Sequence, residues 1–203
     1  MRRHLFTPDD LDSAVDVVVT ALRSVAETAD WSAPAGGLDW DCRSTVDHLL
    51  DDLFTYAARV AVAAQERGVP FAARVGDGVP PSGALELVTI GGRLLSAALR
   101  TAPEGQRFFH PWGTTDAEGY AGIGAVEVLA HGADIAAGLG VRLAPPADLC
   151  RRLLDRMFPD APEHADPWEL LLWCTGRAEL PGLPRRTSWH WRNTPPEEQE
   201  KQS

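Results

Sequence analysis

The feature that most constrains this fold is a run from Gly122 to Gly140 in which nearly every residue is small or apolar. Read as one helix, the run carries three ionisable side chains, Glu127, His131 and Asp134. Because residues three and four positions apart share a face of an α-helix, these side chains form one polar stripe. An acid and an imidazole are costly to bury unless they are paired, hydrogen-bonded or bound to a metal. The stripe therefore predicts a site.

Helical periodicity and capping signals divide the rest of the chain into further helices. We expect long helices at about 7–27, 41–65, 82–101 and 114–140, and shorter ones at about 146–158 and from 166 onward. Thr7, Ser82 and either Thr114 or Thr115 are the predicted capping residues of the first, third and fourth helices. Residues 68–82 are rich in Gly, Val and Pro and predict a long loop.

Four long helices in one chain predict an all-α fold, an antiparallel four-helix bundle with short additional C-terminal helices. We expect residues 1–180 to form the bundle and residues 181–203 to form a tail, partly disordered from Pro195 onward. The Trp189–Trp191 stretch in this tail is expected to cover an edge of the core rather than to hold a ligand. Bundles of this kind place metal and ligand sites between facing helices.

Charge and cysteine content narrow the possible partners and the compartment. The 203-residue chain has a net charge of −10, which argues against non-specific binding to nucleic acid or to an anionic membrane. No apolar run approaches the roughly 20 residues of a membrane span, and the N-terminus turns acidic before a leader-like apolar stretch develops. Three cysteines without zinc-site spacing indicate a reducing, cytoplasmic compartment. Neither nucleic acid nor an anionic membrane is therefore an expected partner.

Cys42 lies near the predicted start of the second helix. There the helix dipole lowers the pKa of a thiol, which is one route to a reactive cysteine. A small buried residue is the favoured interpretation.

Three motifs, in a fixed order, carry a family resemblance. The first is Trp40 followed by a polar turn and a helix containing Val46-Asp-His48-Leu, and the second is Glu127-Val-Leu-Ala-His-Gly-Ala-Asp134. The third is Leu170-Leu-Leu-Trp-Cys-Thr-Gly-Arg177. Together they resemble the DinB/YfiT-like metalloprotein superfamily, and within it the mycothiol-dependent maleylpyruvate isomerase N-terminal domain group, over about residues 5–180.

The resemblance implies a metal site and a class of reaction. In that group one histidine on the second helix joins two ligands four residues apart on a later helix, so the implied ligands here are His48, Glu127 and His131. Such a set suits zinc first, with nickel or iron(II) as alternatives. The implied activity is that of a metal-dependent enzyme using a low-molecular-weight thiol as cosubstrate, either a mycothiol-type S-transferase or a maleylpyruvate-isomerase-like enzyme. The isomerases carry a further domain, and only residues 141–203 follow the fourth helix here, which favours a transferase or another relative.

The residues themselves leave alternatives open at the implied ligands. On a helical wheel His48 falls opposite the stripe that contains Val46 and Leu49, where periodicity by itself predicts a solvated face. Glu127 and His131 also satisfy the spacing of a simple surface pair. The functional alternatives are a non-catalytic protein that binds a metal or small molecule, and a scaffold whose site has lost its metal. A homodimer is possible.

Four further residues are candidates for the surroundings of the metal or for substrate contacts. Asp134 either orients His131 as a hydrogen-bond acceptor or is an ordinary helix-end carboxylate. Arg177 either binds an anionic substrate group or neutralises nearby carboxylates. His110 and Trp112 lie in one loop, which either borders the pocket or packs on the body. The sequence identifies no catalytic residue beyond these.

Overall fold

The computed structural model describes residues 4–162 and 165–195, and these residues form an all-α fold. The helices are α1 (Pro8–Arg23), α2 (Cys42–Ala61), α3 (Pro81–Arg100), α4 (Ala117–Gly138), α5 (Ala147–Met157) and α6 (Pro167–Cys174). Apart from three isolated β-bridges, the described residues contain no strand. The predicted fold class is confirmed. Of the expected disordered end, Pro195 is described and buried, and residues 196–203 lie outside the described residues.

The first helix begins where predicted and ends earlier. The hydroxyl oxygen of Thr7 accepts from the Asp10 backbone N–H, and the Asp10 carboxylate accepts from the Thr7 backbone N–H. These two bonds form a capping box. The helix ends at Arg23 rather than near residue 27. Beyond it the Trp31 indole N–H donates to the carbonyl of Ala26 at 2.9 Å, which ties the following loop to the end of α1.

Capping of the third and fourth helices differs from the prediction. α3 begins at Pro81 without a side-chain cap, so the capping role given to Ser82 is wrong. α4 is capped by Asp116, which accepts from the Gly119 N–H at 2.7 Å, rather than by Thr114 or Thr115. The second helix ends at Ala61 rather than near residue 65, because the chain turns sharply there through a residue with positive φ at position 63.

The four long helices pack as a bundle. α1 and α2 each pack against α3 and α4. Bonds between α1 and α3 join Pro8 to Ser96 and Asp16 to Arg93, so these two helices run antiparallel. By the same reasoning α2 and α4 are antiparallel, whereas the contacts of α1 with α4 run in parallel register.

The topology explains the long loop that the sequence predicts. α2 and α3 run in the same direction, so the connection at 62–80 must return along the whole of α2. A 20-residue helix is about 30 Å long, and an extended chain needs about nine residues to cover that distance. On the way back, Ala73 and Val75 donate their backbone N–H groups to Asp51 and Asp47 of α2.

α4 is the central helix, with 16 of its 22 residues buried. A helix that is apolar on nearly all sides belongs in a core. Its glycines let the neighbouring helices approach closely: a Cβ at Gly132 would lie 2.7 Å from a methyl of Val18 on α1, and one at Gly138 would lie 2.4 Å from the carbonyl oxygen of Pro34.

Among the described helices, α3 has the length and apolar composition of a membrane span. This corrects the expectation that no stretch of the sequence reaches that length. In the structure α3 packs on α1 and α2 as a member of the bundle.

The close packing at Gly132 leads to a stability prediction. Gly132→Val should lower the free energy of unfolding by about 3 kcal/mol, because the added methyl groups would overlap the branched Val18 side chain of α1. The measurement is denaturant unfolding followed by circular dichroism. Ala137→Val is the matched control, because Ala137 is exposed on the same helix and the change there costs only the helix propensity of about 0.7 kcal/mol or less. Equal losses in the two variants would contradict the close-packing explanation.

Candidate metal centre and adjoining cavity

The antiparallel packing of α2 on α4 brings the three predicted metal ligands together. His48, Glu127 and His131 each offer one ligand atom, and these atoms all lie within 4.8 Å of one another. Nε2 of His131 lies 3.3 Å from Oε2 of Glu127, and the imidazole rings of His48 and His131 meet edge to face at 4.9 Å. The structure thus collects, from two helices, the three groups that the sequence singles out.

The donor set fits a divalent cation. Two imidazole nitrogens and one carboxylate oxygen are ligands for zinc and its neighbours in the transition series, and three protein ligands leave coordination positions free. With metal–ligand bonds of about 2.0–2.2 Å, two ligands of one ion lie at most about 4 Å apart. The three atoms are therefore within a small side-chain movement of coordination distance.

Asp134 holds the ring of His131 from the side away from Glu127. Its Oδ2 lies 3.3 Å from Nδ1 of His131, so Nε2 is the ring nitrogen that faces Glu127. Burial lowers the pKa of His131, but the contacts with Asp134 and Glu127 outweigh it and raise that pKa to about 9. Burial by itself would raise the pKa of Asp134, but the neighbouring His131 and Arg177 outweigh it and hold that pKa below its usual value. Asp134 thus lies beside the ring of His131 as a charged neighbour, and whether it orients that ring stays a prediction.

Arg177 neutralises a carboxylate. Its Nε and Nη2 donate to the two carboxylate oxygens of Asp134, at distances of 2.7–3.2 Å, and its Nη1 donates to the carbonyl of Thr175 at 2.8 Å. Such a two-point contact is typical of a charge-assisted arginine–carboxylate pair. The side-chain contacts from His131 to Asp134 and from Asp134 to Arg177 therefore connect α4 with the segment after α6.

His48 lies on the polar face of α2, as the helical wheel predicts, but this face borders a cavity. Its side chain is 35% exposed, and Nε2 lies 3.2 Å from Oδ2 of Asp52. Burial and the nearby His131 lower the pKa of His48. Burial, together with the negative charge of Glu127, raises the pKa of Asp52 to about 8. The Trp40 ring meets the imidazole of His48 at 5.0 Å.

The cavity beside the three ligands has a volume of about 540 Å³, which is within the range of small-molecule sites. Its lining combines ionisable groups with tryptophans and further rings. Its lining comprises Leu38, Asp39, Trp40, His48, Asp52, Tyr56, His110, Pro111, Trp112, Glu127, Ala130, His131, Arg177, Trp189 and Trp191.

The loop that contains His110 and Trp112 borders this cavity, which is one of the two interpretations the sequence allows. Nδ1 of His110 accepts from the Trp112 backbone N–H at 3.2 Å. Burial, together with the positive charge of Arg59, lowers the pKa of His110 to about 4. The ring is therefore neutral near pH 7, and its Nδ1 serves as an acceptor.

Among the residues of this site that sequence reasoning missed are Asp52, Tyr56, Trp189 and Trp191. Asp52 and Tyr56 follow His48 at intervals of four on α2, and the Tyr56 hydroxyl donates to Oε1 of Glu127 at 3.5 Å. That spacing was a usable signal. Trp189 and Trp191 pack on the hydrophobic core, as expected, and in addition line the cavity. They come from the far end of the chain, and no local pattern marks them as cavity residues.

The cysteines do not take part in the site. Cys42, Cys150 and Cys174 are all free and buried. Burial and nearby carboxylates raise the pKa of the Cys42 thiol to about 11, so the dipole-activated interpretation is wrong. Burial likewise raises the pKa of Cys150 to about 12 and that of Cys174 to about 11. The chain thus offers no thiolate of its own near neutral pH.

Comparison with protein families places the site in context. The family model described as Mycothiol maleylpyruvate isomerase N-terminal domain matches residues 13–136. The match includes His48, Glu127 and His131 and ends before Trp189 and Trp191. A search of curated proteins and a search of solved structures each returned no match.

The burial of the cysteines leads to a labelling prediction. The native protein at pH 7.5 should not react with iodoacetamide within minutes, whereas the unfolded protein should take up three labels, because burial keeps each thiol protonated and inaccessible. Mass spectrometry counts the labels. Rapid native labelling at Cys42 would contradict this account of the second helix.

Proposed function

The chain belongs to the mycothiol maleylpyruvate isomerase N-terminal domain family, and on that premise we propose that it is a divalent-metal-dependent enzyme using a low-molecular-weight thiol. Mycothiol is the thiol that the family's description names. The observation that carries the proposal is the convergence of His48, Glu127 and His131 beside a cavity large enough for a small molecule. Zinc is the proposed metal.

The side chains around the ligands have distinct roles in the proposed site. His48, Glu127 and His131 hold the cation, which when bound supplies a Lewis acid that lowers the pKa of a thiol or polarises a carbonyl. Asp134 fixes the ring of His131, and Arg177 holds Asp134 in place. A histidine ligand whose second nitrogen contacts a carboxylate has its ring orientation set and its basicity raised.

The nucleophile in this proposal comes from outside the chain. The three cysteines are buried with raised pKa values, so the attacking sulfur belongs to the cosubstrate. In a transferase that sulfur forms a bond to an electrophilic carbon, the thiol proton is released and a leaving group departs. In an isomerase the sulfur adds to a carbon–carbon double bond and is expelled again after rotation. A reducing, cytoplasmic compartment suits both a thiol cosubstrate and unpaired cysteines.

Metal binding is the first test. Protein purified without a polyhistidine tag should carry a single equivalent of divalent metal by elemental analysis. His48→Ala, Glu127→Gln and His131→Ala should each abolish this occupancy. Asp134→Asn should weaken zinc binding by about 10- to 100-fold, because it removes the carboxylate behind His131 but no ligand.

His190→Ala is the matched control for the metal variants, because His190 is exposed and lies outside the three-ligand set. It should retain full occupancy, and circular dichroism should show that each variant is folded. Full occupancy in a folded His48→Ala or His131→Ala protein would overturn the assignment of the ligands.

Turnover is the second test. Zinc-loaded protein with mycothiol should accelerate conjugation of an electrophile such as 1-chloro-2,4-dinitrobenzene. The reaction is measured by the chloride that is released and by the absorbance of the thioether product. His131→Ala should reduce the rate to that of the uncatalysed reaction, because the ligand set is incomplete. Full metal occupancy without turnover on any electrophile, and without isomerisation of maleylpyruvate, would favour the non-catalytic binding protein.

A further inference from the structure

Three tryptophans form one wall of the cavity, and we name Trp112, Trp189 and Trp191 the tryptophan wall. The rings of Trp112 and Trp191 lie 4.4 Å apart between centroids, those of Trp189 and Trp191 lie 5.9 Å apart, and those of Trp112 and Trp189 lie 6.3 Å apart. Trp112 nevertheless leaves 46% of its surface exposed. A large apolar surface that is left open in a concave site is typical of a ligand-binding surface.

Hydrogen bonds around Asn193 fix this wall before any ligand arrives. The Trp191 indole N–H donates to Oδ1 of Asn193 at 2.8 Å, and Nδ2 of Asn193 donates to the carbonyl of Gly113 at 3.1 Å. The Asn193 carbonyl in turn accepts from the Thr115 hydroxyl at 2.7 Å and from the fully buried Arg156 at 3.3 Å. A surface that is already ordered loses little conformational entropy when it binds a ligand.

The charges of the cavity disfavour an anionic ligand. Among the described residues that line it, Asp39 and Glu127 are acidic, and Asp52 is a carboxyl group whose pKa is raised to about 8. The basic lining residues His131 and Arg177 each already contact a carboxylate, His131 those of Glu127 and Asp134 and Arg177 that of Asp134. The guanidinium of Arg177 is held by Asp134, so its charge is already matched. A ligand with two carboxylates would have to compete with Asp134 for the Arg177 guanidinium, and desolvating an unpaired charge is costly.

We propose that the tryptophan wall binds the electrophilic substrate and selects a flat, uncharged aromatic group. The inference rests on the proposed function in one respect, which is that the bound aromatic ligand is the substrate. Aromatic faces attract flat rings through offset or edge-to-face contacts and through apolar burial. Trp189 and Trp191 lie beyond the matched residues 13–136, so the wall joins Trp112 of the matched segment to two tryptophans of the C-terminal segment.

A pair of nearly isosteric ligands tests the selectivity in metal-free protein without any thiol. Isothermal calorimetry should show that 2-acetylnaphthalene, which is neutral, binds at least about tenfold more tightly than 2-naphthoate, which is anionic. Trp112→Ala should weaken binding of 2-acetylnaphthalene by about tenfold or more, and Trp112→Phe should restore most of it, because it keeps an aromatic face. Trp112 is largely exposed, so its replacement leaves the core intact.

Trp168→Ala is the matched control, because Trp168 is a partly buried tryptophan of α6 outside the cavity lining. It should bind 2-acetylnaphthalene as the wild type does. Equal affinity for the two ligands, or equal loss in the Trp112→Ala and Trp168→Ala variants, would overturn the proposal.

Failure of the proposed function can be told apart from failure of this inference. The binding measurements need neither metal nor turnover, so they decide the role of the wall even if no conjugation occurs. In the zinc-loaded protein with mycothiol, Trp112→Ala should reduce conjugation of 1-chloro-2,4-dinitrobenzene mainly through a higher KM, while conjugation of iodoacetamide, which has no ring, changes little. Equal effects on the two electrophiles would count against the wall as the selective element.

Discussion

Burial of an ionisable stripe on an apolar helix is the constraint on which the rest of this structure depends. α4 is covered on most of its surface, yet it carries Glu127, His131 and Asp134 on one face. Each of these groups needs a partner, because burying it unpaired costs several kcal/mol of desolvation free energy. The partners arrive from two directions: α2 supplies His48 and Tyr56, and the segment after α6 supplies Arg177.

The topology of the bundle decides which partners are available. α2 and α4 are separated in sequence by α3 but lie side by side and antiparallel, so the polar face of α2 opposes the stripe of α4. That opposition turns a face that periodicity alone would expose to solvent into the lining of a cavity. The connection that returns along α2 is part of the same arrangement, because its backbone N–H groups donate to Asp47 and Asp51 on that polar face.

The site that results has two unlike sides. The ligand side gathers imidazoles and carboxylates whose pKa values are shifted by burial and by one another, a pattern that is characteristic of functional sites. The opposite side is aromatic and anchored by hydrogen bonds around Asn193. Residues from the matched family segment and residues from the C-terminal segment therefore meet in a single cavity, one side suited to holding a cation and the other to holding a ring.

The sequence by itself determined the helices, the polar stripe and, through its family motifs, the three residues predicted to be metal ligands. These features are local, since capping residues, helical spacing and the four-residue interval of Glu127 and His131 are written in neighbouring positions. The sequence did not determine where α1 and α2 end or what the tail tryptophans face, because those outcomes depend on contacts between distant segments, such as the bond from Trp31 to Ala26. Only the tertiary structure placed Trp189 and Trp191 in the same cavity as His48, because that arrangement depends on how the chain after α6 folds back over the bundle.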